Sequence, residues 1–291
     1  MENQKTTSKV SFFQKTPIKC PVCEKEFLKE TLLSGRGRLI ADDMMIDLRR
    51  RYQPSPKFGV VNPLIYSIVT CPHCLYSTFP EDFMSIKEEN IKRCKEKSTT
   101  RKKHCKTIFN AIFNFSKPKN LYTGAASYLL ALDSYAYHDK ESAPSLKRAI
   151  ASIRASWLYS DISQEKKGEY YEYLVEYFRY LAWKCYYSAI DAMQTGIEVF
   201  DNVKRFGPDT DKDYGYDGAL YLRSYLTYEM RFFIKNKDEK IKYYLDAKRT
   251  LSKVFGLGKA TKEKPGPLLD IARFLYDKLK YELDDLDANE E

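Results

Sequence analysis

The chain has 291 residues, of which 43% are hydrophobic and 31% are charged, with 12 glycines and 12 prolines. This composition excludes a collagen-like, low-complexity or wholly disordered protein, and the length suits one large or two modest domains. The net charge of +9 is unevenly distributed, because residues 1–120 carry +11 and residues 121–291 carry −2. This asymmetry predicts two modules with different tasks.

The N-terminal segment, residues 1–16, predicts a flexible tail. Lys5, Lys9 and Lys15 interrupt it, so it lacks the apolar run of a signal peptide. The longest stretch without charged side chains, residues 58–80, contains prolines and polar residues and does not resemble a membrane span of about 20 apolar residues. We therefore expect a cytoplasmic protein without membrane insertion.

Two matched Cys-x-x-Cys pairs form the strongest local signal, and strand-forming residues flank both of them. Two such turns can place four thiolates around one ion, with metal–sulfur distances of about 2.3 Å. We predict a zinc-ribbon-like domain over residues 17–80 that holds one structural Zn²⁺. The predicted ligands are Cys20, Cys23, Cys71 and Cys74. Four thiolates close the coordination shell, so no open position is expected for a catalytic water.

The 47 residues between the pairs exceed the roughly 15 to 20 of familiar motifs. Closing the longer loop costs only about 0.85 kcal/mol more, whereas a structural zinc contributes about 10 kcal/mol or more. The length of the loop therefore does not exclude the site.

Unliganded or redox-active thiols, or a different metal, are the alternatives for these cysteines. Thioredoxin-like chemistry needs the pair at the start of a helix among alternating strands and helices, and that context is missing here. Seven cysteines, an odd number, also argue against a disulfide framework in a chain without an export signal. His73, inside the second pair, is interpreted as an outward-pointing turn residue rather than a ligand.

Several motifs resemble domain-of-unknown-function family 2225, a family of bacterial proteins. They are Cys20-Pro21-Val22-Cys23, Asn62-Pro63-Leu64-Ile65-Tyr66, Cys71-Pro72-His73-Cys74, Tyr76 and the run from Ala149 to Tyr159. The resemblance implies a zinc-ribbon-like head and a tail similar to tetratricopeptide repeats, and it implies no catalytic activity. The chain departs from usual knuckles at Glu24 and Leu75, which follow the two pairs where glycine is common.

An arginine-rich arm lies between the two pairs and contains Arg36, Arg38 and the run Arg49-Arg50-Arg51. Arginines can clamp phosphates, and neighbouring aromatic rings can stack on bases, so a nucleic-acid surface is one interpretation. The favoured interpretation pairs these arginines with aspartates of the arm or with the negative metal–thiolate centre. The aspartates are Asp42, Asp43 and Asp47.

Residues 81–118 predict a basic connector helix, in which residues 87–106 carry +6. Such a run is most simply a solvated face, and otherwise it contacts RNA, DNA or an acidic protein. Cys94 and Cys105 would lie about 16.5 Å apart on a continuous helix, too far to share one ion. Cys185, among aromatic residues, is interpreted as a small buried hydrophobic residue.

Residues 119–288 show helical periodicity and predict an array of tetratricopeptide-like helical hairpins. The expected helices cover residues 119–138, 143–160, 164–203, 216–235, 238–256 and 266–286. The third of these carries a second row of mostly aromatic residues, which predicts packing against two neighbours. This row is Tyr173, Tyr177, Tyr180, Lys184 and Tyr187.

The predicted fold is therefore mainly α, with a small N-terminal β zinc ribbon. No nucleophile arrangement, phosphate loop or His-Glu-x-x-His segment is present, so no enzyme activity is expected. We expect an interaction adaptor or scaffold whose helical domain binds another protein or peptide. The alternative is an RNA- or DNA-binding protein that uses the basic N-terminal region.

Overall fold

The fold is described by a computed structural model that covers residues 9–256 and 266–288. In this part of the chain, four small two-stranded antiparallel sheets precede a set of eight α-helices. The expected fold class, mainly α with a small N-terminal β region, is confirmed. No helix within the described ranges is long and apolar enough to cross a membrane.

The strands form nested and successive hairpins in the head. Strand β1 pairs with β4 and encloses the pair β2 and β3, whereas β5 pairs with β6 and β7 with β8. The strands are β1 (Ser11–Phe13), β2 (Ile18–Lys19), β3 (Glu26–Phe27), β4 (Glu30–Leu32), β5 (Ile40–Met44), β6 (Arg50–Gln53), β7 (Val69–Thr70) and β8 (Ser77–Thr78).

Strand β1 lies inside the segment that was expected to be a flexible tail, residues 1–16. The Ser11 hydroxyl donates a hydrogen bond of 2.5 Å to the Glu30 carboxylate, and both residues are buried. Ordered structure therefore begins earlier than expected, because β1 completes the ladder of β4. Residues 1–8 of the predicted tail lie outside the described residues.

The helices follow the predicted order, with shorter bounds in several places. They are α1 (Glu88–Glu96), α2 (Ser98–Phe109), α3 (Leu121–Ser134), α4 (Pro144–Glu165), α5 (Glu169–Gln194), α6 (Gly215–Glu229), α7 (Lys237–Phe255) and α8 (Gly266–Ala288). The connector that was expected to be one helix is divided at Lys97 into α1 and α2. The break separates Cys94 and Cys105 onto different helices.

Helix α5 ends at Gln194, nine residues before the expected end at residue 203. Gly196 adopts a left-handed backbone with φ +72°, and the Ile197 amide donates to the Ala192 carbonyl at 2.8 Å. This arrangement caps the helix in the manner of a Schellman motif. A loop over residues 195–214 then leads to α6.

Each helix from α3 to α8 packs against the next one in the chain, which gives an array of helical hairpins. Apolar side chains from all of these helices form one continuous core. Leu48, Leu64 and Ile68 of the head belong to the same core. Head and tail are therefore joined by apolar packing as well as by the chain.

The arginine-rich arm forms the β5–β6 hairpin and docks on the tail. Arg49 binds Asp161 of α4 at 2.5 Å, and Arg50 lies 3.5 Å from Asp209 in the loop before α6. The expectation that these two arginines pair with the arm's own aspartates or with the thiolate centre is wrong. The tail supplies one fully buried carboxylate, Asp209, and one that is 21% exposed, Asp161, and ion pairs with such groups are screened less by water than pairs with exposed aspartates of the hairpin.

Asp47 of the arm also binds a residue of the tail, and not an arginine side chain of the arm. The indole nitrogen of Trp157 donates to the Asp47 carboxylate at 2.7 Å, and the Tyr221 hydroxyl donates to the Ile46 carbonyl at 2.7 Å. These contacts anchor the tip of the hairpin on α4 and α6. The arm is therefore part of the fold and only its outer residues are free to contact a partner.

Helix α3 approaches the head most closely at Gly124, where a Cβ atom would lie 2.9 Å from the Cα of Ile65. We expect Gly124→Ala to lower the free energy of unfolding by about 1–2 kcal/mol, because steric displacement outweighs the gain in helix propensity of about 1 kcal/mol. Urea denaturation measures the change. Gly168→Ala is the control, since a Cβ there meets open space; a stabilised Gly124→Ala protein would contradict close docking.

Candidate metal centre

The two Cys-x-x-Cys turns have the same backbone structure. In the first, the Cys20 amide donates to the Lys25 carbonyl at 3.0 Å, and the Glu24 amide donates to the Cys20 carbonyl at 2.8 Å. In the second, the Cys71 amide donates to the Tyr76 carbonyl and the Leu75 amide to the Cys71 carbonyl, both at 2.9 Å. Each turn is therefore a knuckle at the tip of a short hairpin.

Glu24 and Leu75 occupy the left-handed position of each knuckle, with φ values of +63° and +60°. Glycine would reach this conformation at lower cost, and a side chain costs about 1–2 kcal/mol there. Both turns nevertheless keep the conformation, since paired amide–carbonyl hydrogen bonds and the strands on either side determine it.

The knuckles bring four sulfur atoms together, all within 4.8 Å of one another. The Sγ atoms of Cys20 and Cys74 are 3.7 Å apart, and those of Cys23 and Cys71 are 3.6 Å apart. A tetrahedron with metal–sulfur bonds of about 2.3 Å has sulfur–sulfur edges of about 3.8 Å. The four cysteines therefore have the geometry of a tetrahedral metal site.

The cluster is buried, with Cys20 and Cys71 fully inaccessible and Cys23 partly exposed. Hydrogen bonds from the thiols of Cys20 and Cys74 lower the pKa of Cys71 to about 2. The hydrogen bond to Cys71 and burial raise the pKa of Cys20 to about 12. Sulfurs at this spacing compete for protons, and a bound dication can replace those protons.

Arg101 of α2 is the basic residue that reaches the second knuckle. Its side chain is 1% exposed, and its Nε donates to the Cys74 carbonyl at 3.1 Å. The same guanidinium donates to the Cys94 carbonyl at 2.8 Å and binds the Asp133 carboxylate at 3.0 Å. It therefore connects the knuckle to three helices and places a positive charge beside the thiolates.

The role of Arg101 differs from the expectation that the cations of the connector form a solvated face, because Arg101 is buried. The missing signal is periodicity: Cys94, Arg101, Cys105 and Phe109 are buried on one side of α1 and α2. A basic residue in register with apolar neighbours indicates a buried cation rather than a solvated one.

The other candidate residues lie outside the cluster. His73 is exposed, and its Nε2 lies 3.3 Å from the Glu26 carbonyl of the first knuckle. Burial raises the pKa of the Cys94 thiol to about 11 and that of Cys105 to about 12, so both are neutral. Cys185 is buried in the core between helices, as expected.

A buried polar network lies directly behind the second knuckle. The Tyr76 hydroxyl and His138 Nε2 are 2.9 Å apart, and the Tyr135 hydroxyl donates to Asp82 at 2.6 Å. Lys147 of α4 lies 3.1 Å from the same Asp82 carboxylate. The network connects the residues that follow the second knuckle to the segment after α3 and to α4.

The fold and this centre define a helical-array protein whose N-terminal head carries a cluster of four cysteines that could hold a metal ion. The chain belongs to the family described as "Uncharacterized protein conserved in bacteria (DUF2225)", whose model matches residues 13–279. A relative from Borreliella burgdorferi, described as "Uncharacterized protein", is 43% identical over 281 residues, which cover 96% of this chain and 99% of the relative. No solved structure matches the chain.

The metal centre predicts one divalent ion per chain in purified protein, measured by elemental analysis. Cys71→Ser should lose the ion and most of its stabilisation, because three ligands leave an open and weaker site. Cys105→Ser is the control, since this buried thiol lies outside the cluster. Equal metal content in the two variants, or no bound metal in the parent protein, would contradict the site.

Protonation of His138 predicts part of the acid sensitivity of the fold. Burial lowers the pKa of His138 to about 4, although Asp82 and Asp139 oppose the shift and Lys147 adds to it. The folded pKa is below the unfolded value of about 6.5, so the unfolded state binds the proton first. Stability is therefore present above pH 6.5 and is lost as the pH falls towards 4.

Between pH 7.5 and pH 5, the free energy of unfolding should fall by about 2 kcal/mol less in His138→Gln than in the parent protein. Urea denaturation with metal bound measures the change. His104→Gln is the matched control, because His104 is exposed on α2. The same pH dependence in all three proteins would contradict a neutral buried His138.

Proposed function

We propose that the protein is a non-enzymatic adaptor or scaffold. In this proposal a zinc ion stabilises the head, and the helical tail binds another protein or peptide. The observation that carries this proposal is a row of exposed tyrosines along α5. We call the row the tyrosine stripe, and it consists of Tyr170, Tyr173, Tyr177 and Tyr180.

The tyrosine stripe follows helical spacing, so its members share one face of α5. Tyr173 is 65% exposed, and its ring stacks on that of Tyr177 at a centroid distance of 6.4 Å. At the other end, Tyr180 contacts the half-exposed Phe233 at 6.0 Å. The stripe therefore continues onto the segment that follows α6.

The expected packing of the second row of α5 holds only at its C-terminal end. Tyr187 packs against Trp183 and Tyr243 and lies 3.0 Å from the Thr227 hydroxyl. Tyr173 and Tyr177 remain exposed in this chain. A face of rigid, amphipathic rings suits a protein interface, because tyrosine buries a large area at a low cost in side-chain entropy.

Zinc is proposed as the ion because four thiolates in tetrahedral geometry suit this metal. A closed shell of four sulfurs leaves no position for a substrate or a water, which supports a structural ion and a non-enzymatic protein. The remaining polar network around Tyr76 and His138 is buried and hydrogen-bonded within the fold.

The adaptor proposal is tested by cross-linking and affinity capture from native cells, with the full-length protein as bait. Replacement of both Tyr173 and Tyr177 by alanine should reduce recovery of a specific partner about tenfold or more, because central aromatic anchors dominate interface energies. Tyr281→Ala is the matched control, since Tyr281 is 75% exposed on α8. A partner recovered equally with both variants, or no partner, would overturn the proposal.

Binding of RNA or DNA is the second candidate, and the observation that favours it lies on α1 and α2. Seven exposed cations on these two helices and at the break between them have no carboxylate within 4.0 Å among the described residues. They are Lys92, Arg93, Lys95, Lys97, Lys102, Lys103 and Lys106. Arg49 and Arg50 contribute less to this candidate, because both are paired with the tail.

This candidate predicts binding to duplex or single-stranded nucleic acid that weakens steeply with salt. Lys102→Glu with Lys103→Glu should weaken binding at least tenfold, because two phosphate contacts become repulsive. Lys240→Glu with Lys242→Glu on α7 gives the same change in net charge as a control. Equal affinities of the two double variants in a fluorescence anisotropy titration would reject the α1–α2 surface.

A further inference from the structure

A cavity of about 240 Å³ lies where the head meets the tail. Its walls come from three places: the residues that follow the second knuckle, helix α4, and the loop between α5 and α6. The first wall contributes Glu81, the second contributes Lys147 and Arg154, and the third contributes Arg205 and Gly207.

The charges in this cavity do not balance through ion pairs. Lys147 is neutralised, since its ammonium lies 2.7 Å from Glu81 and 3.1 Å from Asp82. Arg154 and Arg205 have no carboxylate within 4.0 Å in the described ranges 9–256 and 266–288. Two guanidinium groups therefore line one small cavity without a carboxylate at ion-pair distance, although the Glu81 carboxylate lies in the same wall.

Arg154 is the more deeply buried of the two arginines, since it is only 7% exposed. Its Nε donates to the Pro208 carbonyl at 2.7 Å, and its other hydrogen-bond partner is the Tyr128 hydroxyl. Both partners are neutral. Arginine stays protonated and carries five N–H donors. The guanidinium lies over the Phe79 ring at 5.4 Å and interacts with the Glu81 carboxylate of the same cavity through space, without a direct ion pair.

The backbone leaves room for an anion beside this guanidinium. Gly207 has φ +60°, and a Cβ there would lie 3.3 Å from Ile150 and 3.6 Å from Nη2 of Arg154. A side chain at this position would press against Ile150 and would stand in contact with the guanidinium. Glycine keeps the wall open and also reaches the left-handed backbone without strain.

A second cavity of about 360 Å³ adjoins the first and shares Ser67, Pro80, Arg205 and Thr210 with it. Its remaining lining is mixed: apolar and aromatic side chains such as Leu39, Tyr52 and Tyr66 stand beside polar ones that include Glu30 and Asp211. Arg205 stands at the boundary between the two cavities. A ligand with an anionic end and an apolar or aromatic body fits this pair of cavities.

We infer that the head–tail junction binds a small phosphorylated molecule, with its phosphoryl group between Arg154 and Arg205 and its body in the adjoining cavity. Guanidinium groups bind phosphoryl oxygens through paired, charge-assisted hydrogen bonds. The inner cavity is smaller than the roughly 300 Å³ at which drug-sized pockets begin, so it suits the phosphoryl group alone. This site is separate from the metal centre and from the tyrosine stripe.

The test is isothermal titration calorimetry of the full-length, metal-loaded protein at constant ionic strength, with inorganic phosphate and phenyl phosphate as probes. We expect one saturable site per chain and tighter binding of phenyl phosphate, because its ring enters the outer cavity. Arg205→Gln should lower the affinity for both ligands about tenfold, because a charge-assisted contact is lost. Arg205 is exposed, so the fold should tolerate this change.

Lys212→Gln is the matched control, since this exposed residue lies in the same loop and lines neither cavity. It should change the affinity less than twofold. Arg154→Lys keeps the buried charge and should still lower the affinity for phosphate, because an ammonium group cannot bind two oxygens side by side. Absence of saturable binding, equal weakening by Arg205→Gln and Lys212→Gln, or no advantage of phenyl phosphate would overturn the inference.

Discussion

The structure of the head depends on the close approach of four cysteine sulfur atoms. Cys20 and Cys74 are 54 positions apart and have their Sγ atoms 3.7 Å from each other. The strands β2, β3, β7 and β8 have only two residues each, too few to form a stable sheet by themselves. The knuckles therefore rely for their stability on contacts beyond their own strands, among them packing against α2 and α3.

The segment between the two knuckles connects this centre to the rest of the molecule. It leaves the first knuckle through β4, forms the β5–β6 hairpin on the tail, and returns to the second knuckle beside α3. Arg49, Asp47 and Ile46 bind α4 and α6 along this path. The cysteine cluster, the arm and the helical array are thus parts of one packing arrangement rather than independent modules.

The sequence predicted those features that depend on local spacing. The Cys-x-x-Cys pairs located the cluster, since a knuckle needs only a few neighbouring residues. The stripes of apolar residues located α3 to α8, since the helical period is itself local. The end of α5 was misplaced because Thr195 and Gly196 stop the helix by hydrogen bonds to their own last turn, while apolar residues continue beyond it.

Features that depend on distant partners could not be predicted in this way. Arg49 and Arg50 find carboxylates more than 100 positions later, and Arg101 is buried by Cys74 and Asp133. The two cavities at the junction likewise combine head, α4 and the loop before α6. A charged side chain looks solvated in sequence until its tertiary partners are known.

The order of the contacts along the chain has a consequence for biosynthesis. All four cysteines leave the ribosome before Asp161 and Asp209 are translated, because synthesis proceeds from the N-terminus. The four thiols are therefore available to one another while the β5–β6 hairpin still lacks its acceptors. Completion of the tail, and not assembly of the cysteine cluster, is then the event that immobilises the hairpin.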